Sequence, residues 1–473
     1  MPKVWFQMAE VAFLVYLQNF VKSKRGTIWN SFDQSINAGA HMIIDVLKRN
    51  GIEVDYCCPE DVDKYKIVLV SMPSFVEPYN FIRRVAILRK WRKRKFKAIA
   101  GGFGMLNIYP IRHYIDYGIF GRGENIITNL IRAILNNKDY NHPSVMDLKD
   151  GITPVIINQA KELYSYELNT KQRKYVEKEI GCPRRCYYCD YVFTRTNIKS
   201  HPYAFYGNIN WNSREILFNK IFSEDCDFLQ KIRTAIDGYS QRLRYAFNRG
   251  YSNELIKETI ERLSIEWKGK RAYLRPYMVG SYPTETDDDR QEFYDLVSST
   301  ELHGKPMFLE IHTTPFRPAS LTPSQYLPAN IDFSWYALSG KKIFQSIKME
   351  FIHSYRLESP YVHLMGLIMT RATEKSDEII NTICFSKKLT SKALGVKTQE
   401  ERLDLIRKNF DLTPYLREYK IGEKLPTWYL SSYIPNEKIE NWGRILKKKL
   451  GLTDGRILVD SQGQPMQDVS KKT

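Results

Sequence analysis

Apolar positions in the first third of the chain fall into short runs separated by longer amphipathic stretches. Lys66-Ile-Val-Leu-Val-Ser71 is continuous and β-branched, as a strand buried on both faces of a parallel sheet should be. Val4 to Met8, Val54 to Cys57 and Phe96 to Ala100 read as companion strands. Between them, Gln34 to Arg49 has helical spacing and stops at Asn50-Gly51, a normal C-terminal signal, and Tyr79 to Lys95 reads as a basic helix. The Gly101-Gly-Phe-Gly104 turn and Asp116-Tyr-Gly-Ile-Phe-Gly-Arg-Gly-Glu124 supply backbone that can turn tightly and approach a ligand at the carboxyl ends of the strands. Residues 1 to 145 are therefore expected to form a Rossmann-like α/β domain.

Residues 146 to 173 read as a polar connection. A second alternating series follows, with strands at Tyr175 to Ile180, Glu215 to Phe218, Thr234 to Ile236, Ala272 to Val279 and Met307 to Ile311. Helices at Asn253 to Ile265 and Asp287 to Val297 separate the later strands, which implies parallel pairing over a domain of residues 165 to 330. From 331 to 473 the pattern turns helical, with amphipathic runs at Asp377 to Lys388, Gln399 to Asn409 and Glu437 to Leu450. The polar end, Ser461 to Thr473, is expected to fray.

At 473 residues and 43% hydrophobic composition the chain can bury several cores. The apolar run Val11 to Leu17 is too short to span a bilayer and is not framed as a signal peptide, so a cytoplasmic protein without a membrane partner is expected. Of the seven cysteines, Cys57, Cys58, Cys226 and Cys384 are scattered without a disulfide pattern, which fits a reducing compartment. Lys plus Arg number 71 against 53 Asp plus Glu, a formal charge of +18 that favours a polyanionic partner. Seven of those cations lie in Arg89-Lys-Trp-Arg-Lys-Arg-Lys-Phe-Lys97, interleaved with Trp91 and Phe96. That run reads either as a phosphate-binding stripe with a stacking aromatic or as the solvated face of a helix. Lys447-Lys-Lys449 is a second cluster.

Cys182, Cys186 and Cys189 have the spacing C-x3-C-x2-C within Gly181-Cys-Pro-Arg-Arg-Cys-Tyr-Tyr-Cys189, which gathers three soft ligands in one loop. Iron–sulfur clusters and zinc both suit thiolates, and both usually want a fourth protein ligand. A zinc site could take His201 as that ligand. The loop, with Gly-Cys-Pro before it and Tyr188 ahead of its last cysteine, resembles the cluster loop of the radical S-adenosylmethionine (SAM) enzymes. Asp237-Gly-Tyr-Ser-Gln-Arg-Leu-Arg-Tyr-Ala-Phe-Asn-Arg249, Gly280-Ser-Tyr-Pro-Thr-Glu-Thr286 and Thr314-Pro-Phe-Arg-Pro318 with Thr322-Pro-Ser-Gln325 resemble further elements of that family in the same order.

The resemblance implies a partial (β/α)6 barrel, preceded by a cobalamin-binding-like Rossmann domain and followed by a helical domain. It implies a four-iron four-sulfur cluster on the three cysteines, an open iron that binds SAM, a reducing electron donor, and a 5′-deoxyadenosyl radical. By the same resemblance Tyr188, Asp237 and Arg249 contact or surround SAM. Tyr188 could instead be loop packing, and Asp237 and Arg249 surface ion pairs. Glu285 is architectural, and His312 and Thr313 end a strand where they could face a substrate. The family's D-x-H-x-x-G is absent, so the Rossmann domain is expected to serve as scaffold rather than to hold cobalamin.

The positive charge and aromatic content suggest a nucleic-acid base, in DNA above RNA, as substrate. Proteins of this domain order resemble those of phage thymidine hypermodification, which implies isomerisation of an amino-acid adduct from N-linked to C-linked. The alternatives are a cobalamin-dependent methyltransferase acting on a small metabolite or peptide, and a zinc-stabilised nucleic-acid-binding protein without catalysis.

Overall fold

The computed structural model describes residues 9–16, 22–23, 26–27, 38–160, 162, 165–168, 173–176, 179–180, 182, 184–196, 198–199, 213–215, 221–222, 231–331, 342–343, 349–354, 360–386 and 399–452. Val4 to Met8, His201, Cys226 and Ser461 to Thr473 lie outside them.

The first strand among the described residues is β1 (Val11–Leu14), inside the apolar run weighed above for membrane length. β2 (Val54–Cys57), β3 (Ile67–Ser71), β4 (Lys97–Gly101) and β5 (Tyr117–Ile119) join it in one sheet of order β2-β1-β3-β4-β5, all parallel, with β6 (Val145–Asp147) added antiparallel at the edge. The order reverses between β1 and β3, the switch point at which doubly wound sheets bind ligands. One face of the sheet packs Val11, Phe13, Ile67, Leu69 and Ile99 under α1 (Ala38–Arg49) and α2 (Ile127–Leu135). The other face, with Ala12, Leu14, Val68, Val70, Ala98 and Ala100, belongs to a core that runs on through Phe193 to Leu364 and Leu446. Burial on both faces explains why β3 reads as an unbroken apolar run.

The expected basic helix is broken. Glu77–Phe81 is helical, Ile82–Ala86 forms a wider π turn, and Arg89–Arg92 is one short helix. The expected polar connection carries structure: β6 itself, β7 (Val155–Ile156), and β8 (Ser165–Leu168) paired antiparallel with β9 (Arg173–Val176).

The second sheet has the order β12 (Ser213–Glu215), β13 (Lys231–Ala235), β14 (Ala272–Gly280), β15 (Met307–Pro315), β17 (Met349–Ser354) and β16 (Lys342–Ile343). Its pairings are parallel except for the β16 edge. Alternate residues of β13, β14 and β15 pack Ile232, Leu274 and Leu309 against Ile256, Ile260, Phe293 and Val297 of two covering helices, Asn253–Glu266 and Asp287–Ser298. Two expectations are corrected here. The segment Tyr175 to Ile180 is not a strand of this sheet, because β10 (Glu179–Ile180), which leads into the cysteine loop, pairs antiparallel with β11 (Ile198–Lys199). The sheet also continues through Ser354, so the helical region begins after that residue rather than at 331.

That region opens with Pro360–Arg371, which is buried along nearly its whole length. At its end Arg371 donates to the carbonyls of Gln325, Leu327, Tyr415 and Arg417. Asn107 of the first domain donates to the carbonyls of Thr370 (3.0 Å) and Ala372 (2.9 Å), and β7 pairs with β18 (Leu430–Ser431). Among the described residues no helix is long and apolar enough to cross a membrane.

Candidate active site at the cysteine loop

The cysteine loop is pinned from two sides by backbone hydrogen bonds. Tyr187 N–H donates to Phe247 O, and Ser324 N–H donates to Tyr187 O, both at 3.0 Å. These contacts join the loop to the Asp237–Arg249 segment and to the Thr322–Gln325 segment, elements far apart in the chain. The loop closes on itself through Cys189 N–H to Cys186 O (3.0 Å) and continues into the short helix Asp190–Thr194.

Cys186 is buried, while Cys182 and Cys189 are half-buried. Burial, the Asp190 charge and the neighbouring Cys186 push the Cys189 thiol well above its ordinary range, so loading a metal there must release a proton. Among the described residues no three His, Cys, Asp or Glu side chains converge as they would on a single ion.

Arg249 reaches this loop from just beyond the short helix Gln241–Ala246. Its Nη1 donates to Cys186 Sγ at 3.2 Å, its Nη2 to Ala235 O, and its Nε lies 2.9 Å from Asp237 Oδ2. The last contact is an ion pair by distance without the alignment of a hydrogen bond. Both side chains are under 10% exposed, which removes the surface ion-pair reading of these two residues. Burial opposes the charge on Arg249, but Asp237 together with the neighbouring Tyr188, Cys186 and Tyr251 outweighs it and holds the guanidinium firmly protonated. A fixed cation beside one sulfur offsets the negative charge that thiolate ligation brings. Asp237 itself is left-handed (φ 55°), an uncommon conformation for a non-glycine residue, and lies two residues past the end of β13.

Tyr188 lies 6.1 Å from Phe247 and 6.5 Å from Tyr282, ring centre to ring centre, while Phe247 and Tyr282 stack at 4.2 Å and both approach Phe316. Its hydroxyl end is enclosed: burial and then the Asp237 charge raise it well above the ordinary tyrosine range. The three downstream motifs and the loop thus meet in one aromatic cluster. Motif spacing does not reveal Tyr282 and Phe316 as members, although each lies inside a segment singled out above. Asp190 was also missed. Burial pushes its carboxyl up to about 6, partly offset by Arg195 and Arg317.

Glu285 is buried and 3.4 Å from Arg290, and Thr286 with Asp289 forms a capping box that Ser240 and Arg242 reinforce, so this turn is architectural. His312 is buried against Glu310 (3.2 Å), and Thr313 meets Tyr239 Oη at 2.5 Å on the opposite, helix-covered face. The basic run needs correcting in detail. Trp91 and Phe96 are buried in the core and unavailable for stacking, Arg92 lies over Phe385, and Arg94 pairs with Asp116. Lys447 is buried on Glu418 at 2.6 Å, so of the second lysine cluster only Lys448 and Lys449 are exposed.

A cavity of about 370 Å³ lies at the carboxyl ends of β1, β3, β4 and β5, at the switch point. Gly101, Gly102, Gly121 and Gly123 line it. Gly102 (φ 110°) and Gly121 (φ 88°) leave no room for a Cβ, which would stand 2.4 Å from Met72 O and 2.3 Å from Asn158 O. Tyr191 and Arg195, from the helix after Cys189 and just beyond it, complete the wall. The Arg195 guanidinium sits 4.6 Å from the ring centres of both Phe103 and Tyr191, clamping the glycine loop to the cysteine loop.

No family model matches the chain, and no curated protein matches it. Among solved structures it is similar to the radical S-adenosylmethionine methyltransferase TsrM from Kitasatospora setae, with tryptophan substrate and a SAM analogue bound. That likeness has 14% identity over 77% of this chain and 66% of the other, at a TM-score of 0.28. It is also similar to the cobalamin-dependent S-adenosylmethionine radical enzyme OxsB with aqua-cobalamin bound, at 11% identity over 63% of this chain and 53% of the other, with a TM-score of 0.40. The chain thus spans between about half and two thirds of these proteins. Neither likeness is close enough to set this chain's cofactors or substrate.

Proposed function

We propose that the chain is a radical SAM enzyme that holds a corrinoid in the cavity at the switch point and transfers a carbon group, methyl first, to its substrate. Cys182, Cys186 and Cys189 would hold the cluster, and Tyr188, Asp237 and Arg249 would frame the SAM side of it. The cluster supplies reductive cleavage of SAM, and the corrinoid a carrier for the transferred group. The chain's own part is to seat the loop through Tyr187 and Ser324, to keep a cation on Cys186 through Arg249, and to exclude water with the Tyr188, Phe247, Tyr282 and Phe316 rings.

The observation that carries this reading is that Tyr191 and Arg195, next to the last cysteine, form a wall of the Rossmann cavity. A carrier seated there borders the loop directly. At about 370 Å³ the cavity has the size of a small-molecule site, roughly 300–1,000 Å³, so it would take part of a corrinoid rather than the whole group, and glycines line it. The adjoining loop favours a corrinoid even though the chain has no D-x-H-x-x-G. Isomerisation of an amino-acid adduct on thymidine needs no carrier, so the cavity favours methyl transfer over it.

The test is to purify the protein anaerobically from cobalamin-supplied cells and supply SAM labelled in its methyl group. Bound corrinoid with label passing to it and onward supports the reading. A corrin-free protein that still forms 5′-deoxyadenosine returns the choice to isomerisation.

A further inference from the structure

A groove of about 800 Å³ lies on the far edge of the first domain, lined by Lys66, Arg89, Lys93, Lys95 and Lys97 among others. Lys66 precedes β3, Lys97 opens β4, and Asn137 follows the end of α2, so the groove sits at the amino-terminal ends of the strands. The cavity sits at the carboxyl ends. The length of β3 alone separates the two by about 16 Å.

Some of the positive charge there is already spent locally. Lys66 pairs with Glu10, Lys90 with Asp63 (2.9 Å), and Arg94 and Lys97 with Asp116 (3.2 and 3.4 Å). Arg89, Lys93 and Lys95 are exposed and have no carboxylate partner among the described residues. The floor is the buried Phe96 with half-buried Tyr65, Ile134 and Leu135, so the cations stand on a rim around an apolar bed.

We infer that this groove docks the sugar–phosphate backbone of a nucleic acid, as an anchoring surface remote from the cysteine loop. Three uncompensated cations on the rim of a recess match a chain of regularly spaced phosphates, and the excess of +18 draws a polyanion toward it from a distance. A planar membrane cannot follow a recess, and no lining residue is an exposed large apolar side chain of the inserting kind. With Phe96 buried and Tyr65 half-buried in its floor, the groove offers cations to phosphates rather than an open aromatic face to bases, so binding is independent of sequence. This inference rests on neither the cluster nor the corrinoid, and nucleic-acid docking can hold whichever group the enzyme transfers.

The experiment measures binding of the cluster-loaded full chain to a labelled random-sequence DNA duplex by anisotropy, between about 50 and 200 mM salt. The variant is Arg89→Gln, Lys93→Gln, Lys95→Gln together, with 5′-deoxyadenosine formation as the check on the fold. The wild type should bind, and the variant should lose about 2.7 from the slope of log affinity against log salt, roughly 0.9 for each contact. Deoxyadenosine formation should be unchanged. Failure of the wild type to bind, or an unchanged slope in the variant, overturns the inference. So does a variant that keeps its DNA binding but loses binding to anionic vesicles or to polyglutamate.

Discussion

Removing either member of the Asp237–Arg249 pair should damage both stability and the reaction, for separable reasons. In Asp237→Asn a buried guanidinium loses its counter-charge, and breaking a buried pair from one side costs about 3–5 kcal/mol. Both side chains are under 10% exposed, so solvent does little to screen the loss. In Arg249→Met the cost is similar and the loop loses its bond to Cys186 Sγ (3.2 Å). A displacement of about 1 Å at a reacting centre can cost on the order of 10²-fold in rate. Arg249→Lys is the discriminating variant. An ammonium can keep the ion pair but cannot also reach both the sulfur and Ala235 O. It should recover part of the denaturation midpoint while 5′-deoxyadenosine formation, per iron-loaded chain, stays depressed about 10²-fold. The assay pairs chemical denaturation with anaerobic product analysis normalised to iron. If Arg249→Lys restores rate and midpoint in equal measure, Arg249 is a structural cation and does not position the loop.

Gly123→Leu should abolish corrinoid binding, read from visible absorbance, with little change in midpoint, because its Cβ meets only movable Ile43 and Ile119 side-chain atoms at 3.3 and 3.6 Å. Burial would raise Glu310, but hydrogen bonds from Arg275, Lys231 and His312 outweigh it and hold the carboxyl at about 2 against an ordinary 4.5. Its folded value is the lower one, so its contribution, about 3 kcal/mol, is complete above pH 4.5 and is lost as pH falls toward 2. The stability gap between wild type and Glu310→Gln should therefore shrink from pH 6 to pH 3, and a constant gap contradicts the argument. Arg371→Leu leaves the carbonyls of Gln325, Leu327, Tyr415 and Arg417 without their donor. It should cost about 3 kcal/mol or more, and hydrogen exchange should show the region after residue 360 opening first.

Strands with a continuous apolar run were legible because burial on both faces leaves no polar position. Ile67–Ser71 is found where that pattern puts it. The same property hid β1, since Val11 to Leu17 is weighed first for membrane length, and only the sheet order shows that Val11–Leu14 is a strand. Pro360–Arg371 is apolar nearly all round, so it offers no period to detect. The cysteine spacing named the donor set, but the pairing of Arg249 with Asp237 depends on a left-handed residue and a turn that bring together positions a dozen residues apart. Charge was legible as a run. Which of its cations pair with Asp63 and Asp116, and which remain open, follows only from the fold.

The central claim is tested most directly by reconstituting the full chain anaerobically with iron and sulfide, reducing it, and assaying metal content together with SAM cleavage. The account predicts about four iron and four sulfide per chain, bound by the three thiolates of the loop. It also predicts 5′-deoxyadenosine from SAM, with cluster and product both lost in Cys186→Ala. One zinc per chain, with no iron uptake and no cleavage of SAM, would contradict it.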